Sequence, residues 1–389
     1  MRSTSRLSGQ VAVLRAVHAE PGITRAAAAA ALAMPSGFAA ETTARLTSLD
    51  LLTERPAPAT GSRGRPTSAL CPHPDGPLVV AAAIAHETWR VAAVELGGRA
   101  IESAAGPHRR DQEAVLGTVS AAIEALGRRH GDRIRAVAVA VPGTVAGHRL
   151  IQAPNLGWHQ VDLSPLWPIE DPDRPLLAGN DATFAAIAEA RRGAAAGAAT
   201  AVHLYWDAGL GGAVVEAGRA LPGASGMAGE FGHMPFGDPA LRCRCGALGC
   251  WNTALDGRGI ARALGRPAPA DEVSFARRVL AAARAGQPAE LSAMQDVARS
   301  LGSGAAGLVN ALDPDVVTVG GLGRDLLEVA GEHVTPAYLD GLMRFRASPP
   351  PALVPARFGD DAPLTGAAED AFATVLTDDG LRAWTARRP

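Results

Sequence analysis

Lysine is missing from this chain, so all 37 basic residues are arginine. With 39 acidic residues, the net charge is −2. Cysteine is scarce at four residues, whose spacing is not that of a disulfide framework. No run of eighteen apolar residues occurs, and residues 1–10 lack the apolar core of a signal peptide. These absences predict a cytoplasmic protein with no membrane partner.

The charge that is present is unevenly distributed. Residues 1–74 hold eight arginines and four acidic residues, a net charge of +4, which leaves −6 for the rest of the chain. A basic segment on an acidic body predicts that only the amino-terminal segment meets a polyanion. With 389 residues, 47% of them hydrophobic, the chain is long enough for two or three compact units with a buried core.

Three of the four cysteines lie in one short stretch that also contains a histidine. Cys243, Cys245 and Cys250 follow His233, so the four residues fall within eighteen positions. Zn²⁺ favours thiolate and imidazole ligands and takes four of them in a closed structural site. The alternative is three buried thiols beside an unrelated histidine, because free cysteine often serves as a small buried hydrophobe. The density of cysteine favours zinc bound by His233, Cys243, Cys245 and Cys250.

The first 71 residues have the pattern of a winged helix-turn-helix. Periodicity and capping residues predict helices over 8–20, 26–31 and 36–48, with Thr24 and Ser36 as caps of the second and third. A strand then starts near residue 51, and a turn-rich basic loop precedes a second apolar segment. Such a unit places its third helix in the major groove of DNA and its wing on the backbone or minor groove. The alternative is a helical dimerisation module with a solvated basic loop.

Six side chains are candidates for contacts with operator DNA. The third helix offers short polar side chains and one arginine at positions expected to be exposed, and the wing offers two arginines on a glycine-flexed loop. These candidates are Ser36, Thr42, Thr43 and Arg45 of the third helix, and Arg63 and Arg65 of the wing.

Residues 78–389 form the body, after a proline-rich linker at 72–77. Apolar runs such as LVVAAAIA and RIRAVAVAV predict buried strands, and they alternate with helical patterns, which predicts an α/β domain. Three further helices are predicted over 258–265, 271–285 and 288–312.

Two motifs resemble those of a known family. The segment GASGMAGEFGHM followed by CRCGALGC, at 223–250, resembles the signature of the ROK family (repressor, open reading frame, kinase), which groups sugar kinases with sugar-responsive transcription factors. The wing sequence GSRGRP at 61–66 resembles the wing of ROK repressors. The resemblance covers essentially the whole chain. It implies a two-lobed actin-like, hexokinase-like (ribonuclease H-like) ATPase fold behind the winged helix.

The resemblance also implies a sugar site. Glu230 and His233 of the E-x-G-H segment would contact the sugar, and His233 would ligate the zinc as well. Asn180 would hold sugar hydroxyls, and Asp181 matches the general base of the kinases, although an Asp at a helix start is also an ordinary N-cap. Asn252 stands where the family often has a glutamate that contacts the sugar, so the ligand can differ from glucose.

The phosphate-handling loops of the kinases are altered in this chain. The family's D-x-G-x-T loop corresponds to Ala83, Ala85 and Glu87, and its second phosphate turn corresponds to DAGLG at 207–211. The Mg²⁺-orienting carboxylate is gone, and two acidic residues now face the place of the phosphates. We therefore expect a transcriptional regulator without kinase activity, in which Asp181 is a vestigial base. Its expected partners are operator DNA and a sugar or sugar phosphate, and its expected state is a homodimer or homotetramer.

Two other functions stay open from the residues alone. One is an active sugar kinase that carries a DNA-binding head. The other is a regulator that binds no ligand and whose body only dimerises.

Overall fold

Three helices and a two-stranded ribbon form the amino-terminal head. The structure is a computed structural model, which describes residues 2–56, 68–169, 171–207 and 209–387. The order of elements matches the predicted winged helix-turn-helix. The elements are α1 (Arg2–Ala19), α2 (Arg25–Ala31), α3 (Ser36–Ser48), β1 (Leu52–Pro56) and β2 (Ser68–Pro72), with β1 and β2 antiparallel.

The two predicted helix caps have different outcomes. Thr24 caps α2, because its hydroxyl oxygen accepts a hydrogen bond from the backbone N–H of Ala27 at 3.1 Å. The prediction that Ser36 caps α3 is wrong. Ser36 is already the first helical residue, Pro35 precedes it, and the described residues supply no side-chain capping bond there. Proline suits the entry to a helix because its fixed φ leads the chain into the first turn.

The head packs directly on the body. Val17 of α1 and Leu46 of α3 are fully buried in the same apolar cluster as Phe372 and Trp384 near the carboxyl end of the chain. The indole N–H of Trp384 donates to the backbone oxygen of Leu49 at 2.9 Å. The predicted linker is also docked, since Pro72 belongs to β2 and the guanidinium of Arg133 donates to the Gly76 oxygen at 3.0 Å. Head and body therefore share one core.

The first lobe of the body is built on a five-stranded sheet. All seven residues of its central strand β3 are buried, as expected for the apolar run that starts at Leu78. A small antiparallel sheet of β7, β8 and β9 is inserted before the last strand. The elements are β3 (Leu78–Ile84), β4 (Thr88–Glu95), β5 (Ala100–Pro107), α4 (Gln112–His130), β6 (Ile134–Val141), β7 (Thr144–Ala146), β8 (Arg149–Ala153), β9 (Trp158–Asp162) and β10 (Leu176–Asn180).

The second lobe follows helix α5 (Asp181–Arg192) and contains a second five-stranded sheet. The remaining elements are β11 (Thr200–Trp206), β12 (Leu210–Glu216), β13 (Arg219–Ala220), α6 (Asn252–Leu255), α7 (Gly257–Ala263), α8 (Glu272–Arg284), α9 (Pro288–Leu312), β14 (Val316–Gly321), α10 (Leu322–Gly341), β15 (Ala352–Pro355), α11 (Ala362–Val375) and α12 (Asp378–Ala386). The helices predicted over 258–265, 271–285 and 288–312 are thus present as α7, α8 and α9.

The two sheets repeat one topology. Their strand orders are β5-β4-β3-β6-β10 and β13-β12-β11-β14-β15, so each has an antiparallel meander of three strands followed by two parallel strands. This duplication confirms the two-lobed actin-like, hexokinase-like fold. None of the described helices is both long and apolar enough to span a membrane.

Helices α5 and α11 form the layer between the two sheets. Helix α5 packs on β11 and β12 of the second lobe, and α11 packs on β3 and β6 of the first. The two helices approach so closely that a Cβ at Gly366 of α11 would lie 1.7 Å from the backbone oxygen of Phe184 in α5. Only glycine allows this contact, so the backbones of α5 and α11 touch directly at this point.

We expect Trp384→Ala to lower the stability of the whole chain. Trp384 of α12 is 5% exposed and lies in the apolar cluster that α12 shares with the head. Removing a buried tryptophan ring typically costs about 3–5 kcal/mol. Thermal unfolding of the full-length protein should remain a single transition at a lower Tm, because head and body share a core.

Trp384→Phe is the matched control for this change. It keeps an aromatic ring and loses the hydrogen bond to Leu49, so it should cost only about 1 kcal/mol. A Trp384→Ala protein in which the head melts first, while the body keeps its wild-type Tm, would contradict the shared core.

Candidate functional site

A cavity of about 490 Å³ opens between the two lobes. Its walls bring together residues that are far apart in the sequence, from β10 and α5 on one side to the cysteine-rich loop on the other. All five residues predicted to bind sugar line this cleft, namely Asn180, Asp181, Glu230, His233 and Asn252.

Asn180 joins three parts of the site. Its side-chain oxygen accepts the backbone N–H groups of Ala182 at 2.8 Å and Thr183 at 3.2 Å, so Asn180 is the N-cap of α5. Its amide nitrogen donates to the backbone oxygen of Gly143 at 2.8 Å, which fixes the turn before β7. The residue that caps this helix is therefore Asn180, and Asp181 is the first residue of the helix proper.

Asp181 faces the cleft at the start of α5. Burial and the nearby Asp207 carboxylate together raise the pKa of its carboxyl from 3.8 to about 7. Burial also raises the pKa of Asp207, although Arg277 approaches it at 3.8 Å and lowers it. At neutral pH Asp181 can thus either donate or accept a hydrogen bond, which suits contact with a sugar hydroxyl.

Glu230 and His233 enter the cleft from the second lobe, on either end of a short 3₁₀ turn. The Glu230 carboxylate lies 3.9 Å from Nε2 of His233 and 3.5 Å from the hydroxyl of Thr144, which belongs to β7 of the first lobe. The other ring nitrogen of His233, Nδ1, faces Cys243 Sγ at 3.7 Å. The imidazole therefore has one nitrogen toward the cleft carboxylate and one toward the cysteines.

The four predicted metal ligands come together in one cluster. The ligand atoms of His233, Cys243, Cys245 and Cys250 all lie within 4.8 Å of one another, and the Sγ atoms of Cys245 and Cys250 are 3.6 Å apart. A tetrahedral Zn²⁺ with bonds of about 2.3 Å to sulfur holds two thiolates roughly 3.8 Å apart. Gly246, at φ +96°, makes the turn that brings Cys245 and Cys250 together. The cluster can hold a metal ion.

Asn252 lines the cleft, but its side chain also holds the loop beside it. Its amide oxygen accepts the backbone N–H of Leu210 at 2.7 Å. A Cβ at Gly209 would lie 3.2 Å from the same amide, so the loop between β11 and β12 packs against Asn252. Its amide nitrogen can donate a hydrogen bond to a ligand.

Ion pairs join the two lobes beside the β3–β4 turn. His86 Nε2 lies 3.0 Å from a carboxylate oxygen of Asp271, and the guanidinium of Arg110 donates to Asp271 at 2.9 Å. Burial would raise the pKa of Asp271, but the backbone N–H of Ser274, His86 and Arg110 together lower it to about 2. The carboxylate is therefore ionised at neutral pH and links the β3–β4 turn to the cap of α8.

Sequence reasoning missed this ion-pair cluster and several polar residues of the cleft. His86 and Asp271 are 185 residues apart, so no local sequence pattern could predict their contact. The missed lining residues come from the short strands β7–β9 and the turn between them, where no recognisable motif marks them: Thr144, Gln152, Asn155 and His159.

The predicted DNA contacts of the head need a correction. Ser36 and Arg45 are exposed, as expected. Thr42 and Thr43 are only 3% and 1% exposed, so the prediction that they face DNA is wrong. They lie on the face of α3 that packs on the rest of the head, where the Thr43 hydroxyl donates to the Ala39 oxygen at 2.8 Å. The wing residues Arg63 and Arg65 lie outside the described residues.

Comparison with known proteins identifies the same family that the motifs resemble. The model of the ROK family matches residues 85–372. The glucokinase of Streptomyces coelicolor is 30% identical over 274 residues, covering 66% of this chain and 86% of the glucokinase. The xylose repressor of Caldicellulosiruptor bescii is 26% identical over 201 residues, covering 48% of this chain and 50% of the repressor.

A solved structure is similar over nearly the entire chain. It is described as a ROK family transcriptional regulator, a homolog of the E. coli MLC protein, and has a TM-score of 0.76 at 23% identity. The similarity covers 97% of this chain and 98% of that one, so the same fold extends through head and body.

We expect Asp181→Asn to alter the pH dependence of stability. The folded pKa of about 7 exceeds the ordinary value of 3.8, so the folded protein holds a proton that the unfolded chain loses above about pH 4. The wild type therefore loses stability as the pH rises toward 7, and the asparagine variant lacks this loss. Thermal unfolding from pH 4 to 8 should show a Tm difference that grows in favour of the variant up to about pH 7.

The exposed substitution Asp296→Asn is the control, and its Tm difference from wild type should stay flat over this range. A flat difference for Asp181→Asn as well would show that its carboxyl titrates normally.

Proposed function

The chain belongs to the ROK family, and on that basis we propose that it is a sugar-responsive transcriptional regulator, acting as a repressor. The winged helix-turn-helix would bind operator DNA, and the cleft would bind the sugar. The observation that carries this proposal is the changed segment at the end of β3 and in the β3–β4 turn, which corresponds to the phosphate loop of the kinases and has Ala83 and Glu87 in it. Beside this turn, His86 and Arg110 of one lobe pair with Asp271 of the other.

The polar groups of the cleft support a sugar as the ligand. A pyranose presents several hydroxyls, each of which can donate and accept a hydrogen bond. Asp181 and Glu230 offer carboxylate oxygens from opposite walls, and the amide of Asn252 offers a donor. The cavity of about 490 Å³ is large enough for one or two sugar rings. A ligand that contacts both walls would favour a closed cleft over an open one.

We propose that the cysteine-rich cluster holds a structural Zn²⁺. The metal would be bound by Nδ1 of His233 and by the thiolates of Cys243, Cys245 and Cys250, a closed set of four. Its role would be to fix the orientation of His233 so that Nε2 stays beside Glu230 in the cleft. The ion would thus order the sugar site without taking part in chemistry.

The head has the properties needed for operator binding. Its net charge of +4 attracts the phosphate backbone, and α3 exposes Ser36 and Arg45. Arg63 and Arg65 of the wing add two positive charges suited to the backbone or a narrow minor groove. One such head would bind weakly, so a homodimer or homotetramer on an inverted repeat is the expected assembly.

An active sugar kinase is the second candidate, because curated relatives of the chain include glucokinases and Asp181 has the pKa of a working general base. Two features weigh against it. Ala83 leaves no carboxylate to orient Mg²⁺, and Glu87 and Asp207 place negative charge where phosphates would bind. The regulator structure also covers 97% of this chain, including the head.

Metal analysis should find about one Zn²⁺ per chain, as a site of four ligands requires. Cys245→Ser should lose the ion and lower the Tm, since a structural zinc contributes directly to folding. Cys71→Ser is the matched control, because Cys71 is the fourth cysteine and lies in β2, away from the cluster. A wild-type protein that is free of metal and fully stable, or equal zinc in both variants, would refute the assignment.

Titration of operator DNA should reveal the sugar response. The probes are glucose, mannose, N-acetylglucosamine and xylose, with a DNA fragment from upstream of the protein's own gene. An effective sugar should change operator affinity by roughly 5–150-fold, the usual range of allosteric coupling. Glu230→Ala should abolish the response and retain zinc, because Glu230 lies in the cleft and outside the metal cluster. His233→Ala should disturb both.

Glu216→Ala, at the exposed end of β12 and outside the cleft, controls for loss of a glutamate. A full sugar response in Glu230→Ala would place the ligand elsewhere. Phosphorylation of any of these sugars with ATP and Mg²⁺ at about 1 s⁻¹ or faster, the low end for kinases, would favour the kinase instead.

A further inference from the structure

Arg192, the last residue of α5, contacts the DNA-binding head. Its guanidinium donates through Nη2 to the backbone oxygen of His18 in α1 at 2.8 Å, and through Nε to the carboxylate of Glu369 in α11. Glu369 also pairs with Nε2 of His18 at 3.1 Å. Three elements, one from the head and two from the layer between the lobes, therefore meet at one ionic cluster.

The surroundings of this cluster fix its geometry. His18 and Glu369 are 8% and 2% exposed, so their bonds are largely shielded from water. The backbone N–H of Gly97 donates to Nδ1 of His18 at 2.9 Å, which leaves Nε2 to donate to Glu369. Gly98 has φ +84°, and a Cβ there would lie 2.9 Å from Cζ of Arg192. The β4–β5 turn is thus packed against the head and the end of α5 at once.

The other end of the same helix lies in the sugar cleft. Helix α5 has 12 residues, so it spans about 18 Å from Asp181 to Arg192. Its first turn is held by the Asn180 cap, and its interior is buried from Phe184 to Glu189. A buried, capped helix of three turns moves as a rigid body, so a displacement at the cleft reaches Arg192.

We infer that the ionic cluster of Arg192, His18 and Glu369, called the joint below, couples the sugar cleft to the position of the DNA-binding head. Helix α5 is the rigid element that links the cleft to the joint. This inference rests on the proposed sugar-responsive function. A sugar that engages Asn180 and Asp181 shifts the start of α5, and the joint transmits this shift to His18 at the end of α1. Arg192, His18 and Glu369 are positioning residues, because they touch neither sugar nor DNA.

The chemistry of the joint favours two discrete arrangements over a gradual one. Glu369 is buried with charged partners, and a buried carboxylate that loses its partner is strongly unfavourable. A small displacement of Arg192 must therefore either keep both of its bonds, and carry α1 with it, or break both. In the first case the head follows α5, and in the second it is released from α5, so the two arrangements hold the heads of a dimer differently.

The test uses full-length protein, the same DNA fragment, and whichever of the four sugars produces the response. Arg192→Ala should reduce the sugar-dependent change in operator affinity to less than about twofold, from the roughly 5–150-fold range typical of allosteric coupling. Its sugar affinity, measured by calorimetry, should stay within about threefold of wild type, because Arg192 lies about 18 Å from the cleft. Hydrogen exchange at residues 15–19 should respond to sugar in wild type and not in the variant.

Arg191→Ala is the matched control. Arg191 precedes Arg192 in the same helix and carries the same charge, but its hydrogen bonds go to the backbone oxygens of Gly218 and Glu369 and not to His18. It should keep the wild-type response. Glu369→Gln, which keeps the shape of the side chain and removes its charge, should weaken the response in the same way as Arg192→Ala.

Two results would overturn the inference. A wild type that responds to sugar, together with Arg192→Ala and Glu369→Gln variants that respond equally, would overturn the joint and leave the proposed function standing. A wild type with no sugar-dependent operator affinity would overturn both, because there would be no response for the joint to transmit.

Discussion

The side chain of Asn180 is the interaction on which the arrangement of this protein depends. Any helix leaves its first N–H groups without partners, and in α5 the Asn180 oxygen satisfies two of them. The same amide donates to Gly143, so it ties the last strand of the first sheet to the turn that begins the small sheet of β7–β9. One short polar side chain thus sets the start of α5, the wall of the cleft and the place of Asp181.

From that start, α5 extends through the layer between the lobes. The contact of Gly366 with the backbone of Phe184 holds α5 against α11, and α11 covers the first sheet. Because the head shares its apolar core with Phe372 and Trp384, it rests on the same layer. The helix pair is therefore a common support for the cleft at one end and the head at the other.

Charged side chains lie on both sides of the space between the lobes. His86 and Arg110 of the first lobe pair with Asp271 of the second. Deeper in the cleft, Asp181 and Asp207 repel one another, and burial raises the pKa of both. These charges favour a neutral, hydroxyl-rich ligand over an anionic one beside Asp181, which agrees with the proposed sugar.

The sequence by itself determined what local chemistry and spacing can encode. The apolar run from Leu78 had to be a buried strand, Thr24 had to cap a helix, and the short spacing of His233 and the three cysteines brought four ligands together. Contacts between distant segments were decided only by the tertiary structure. The pairing of His86 with Asp271, and that of His18 with Glu369 and Arg192, depend on how lobes and head pack. Packing also buried Thr42 and Thr43, because a polar side chain on a helix faces whichever side its neighbours cover.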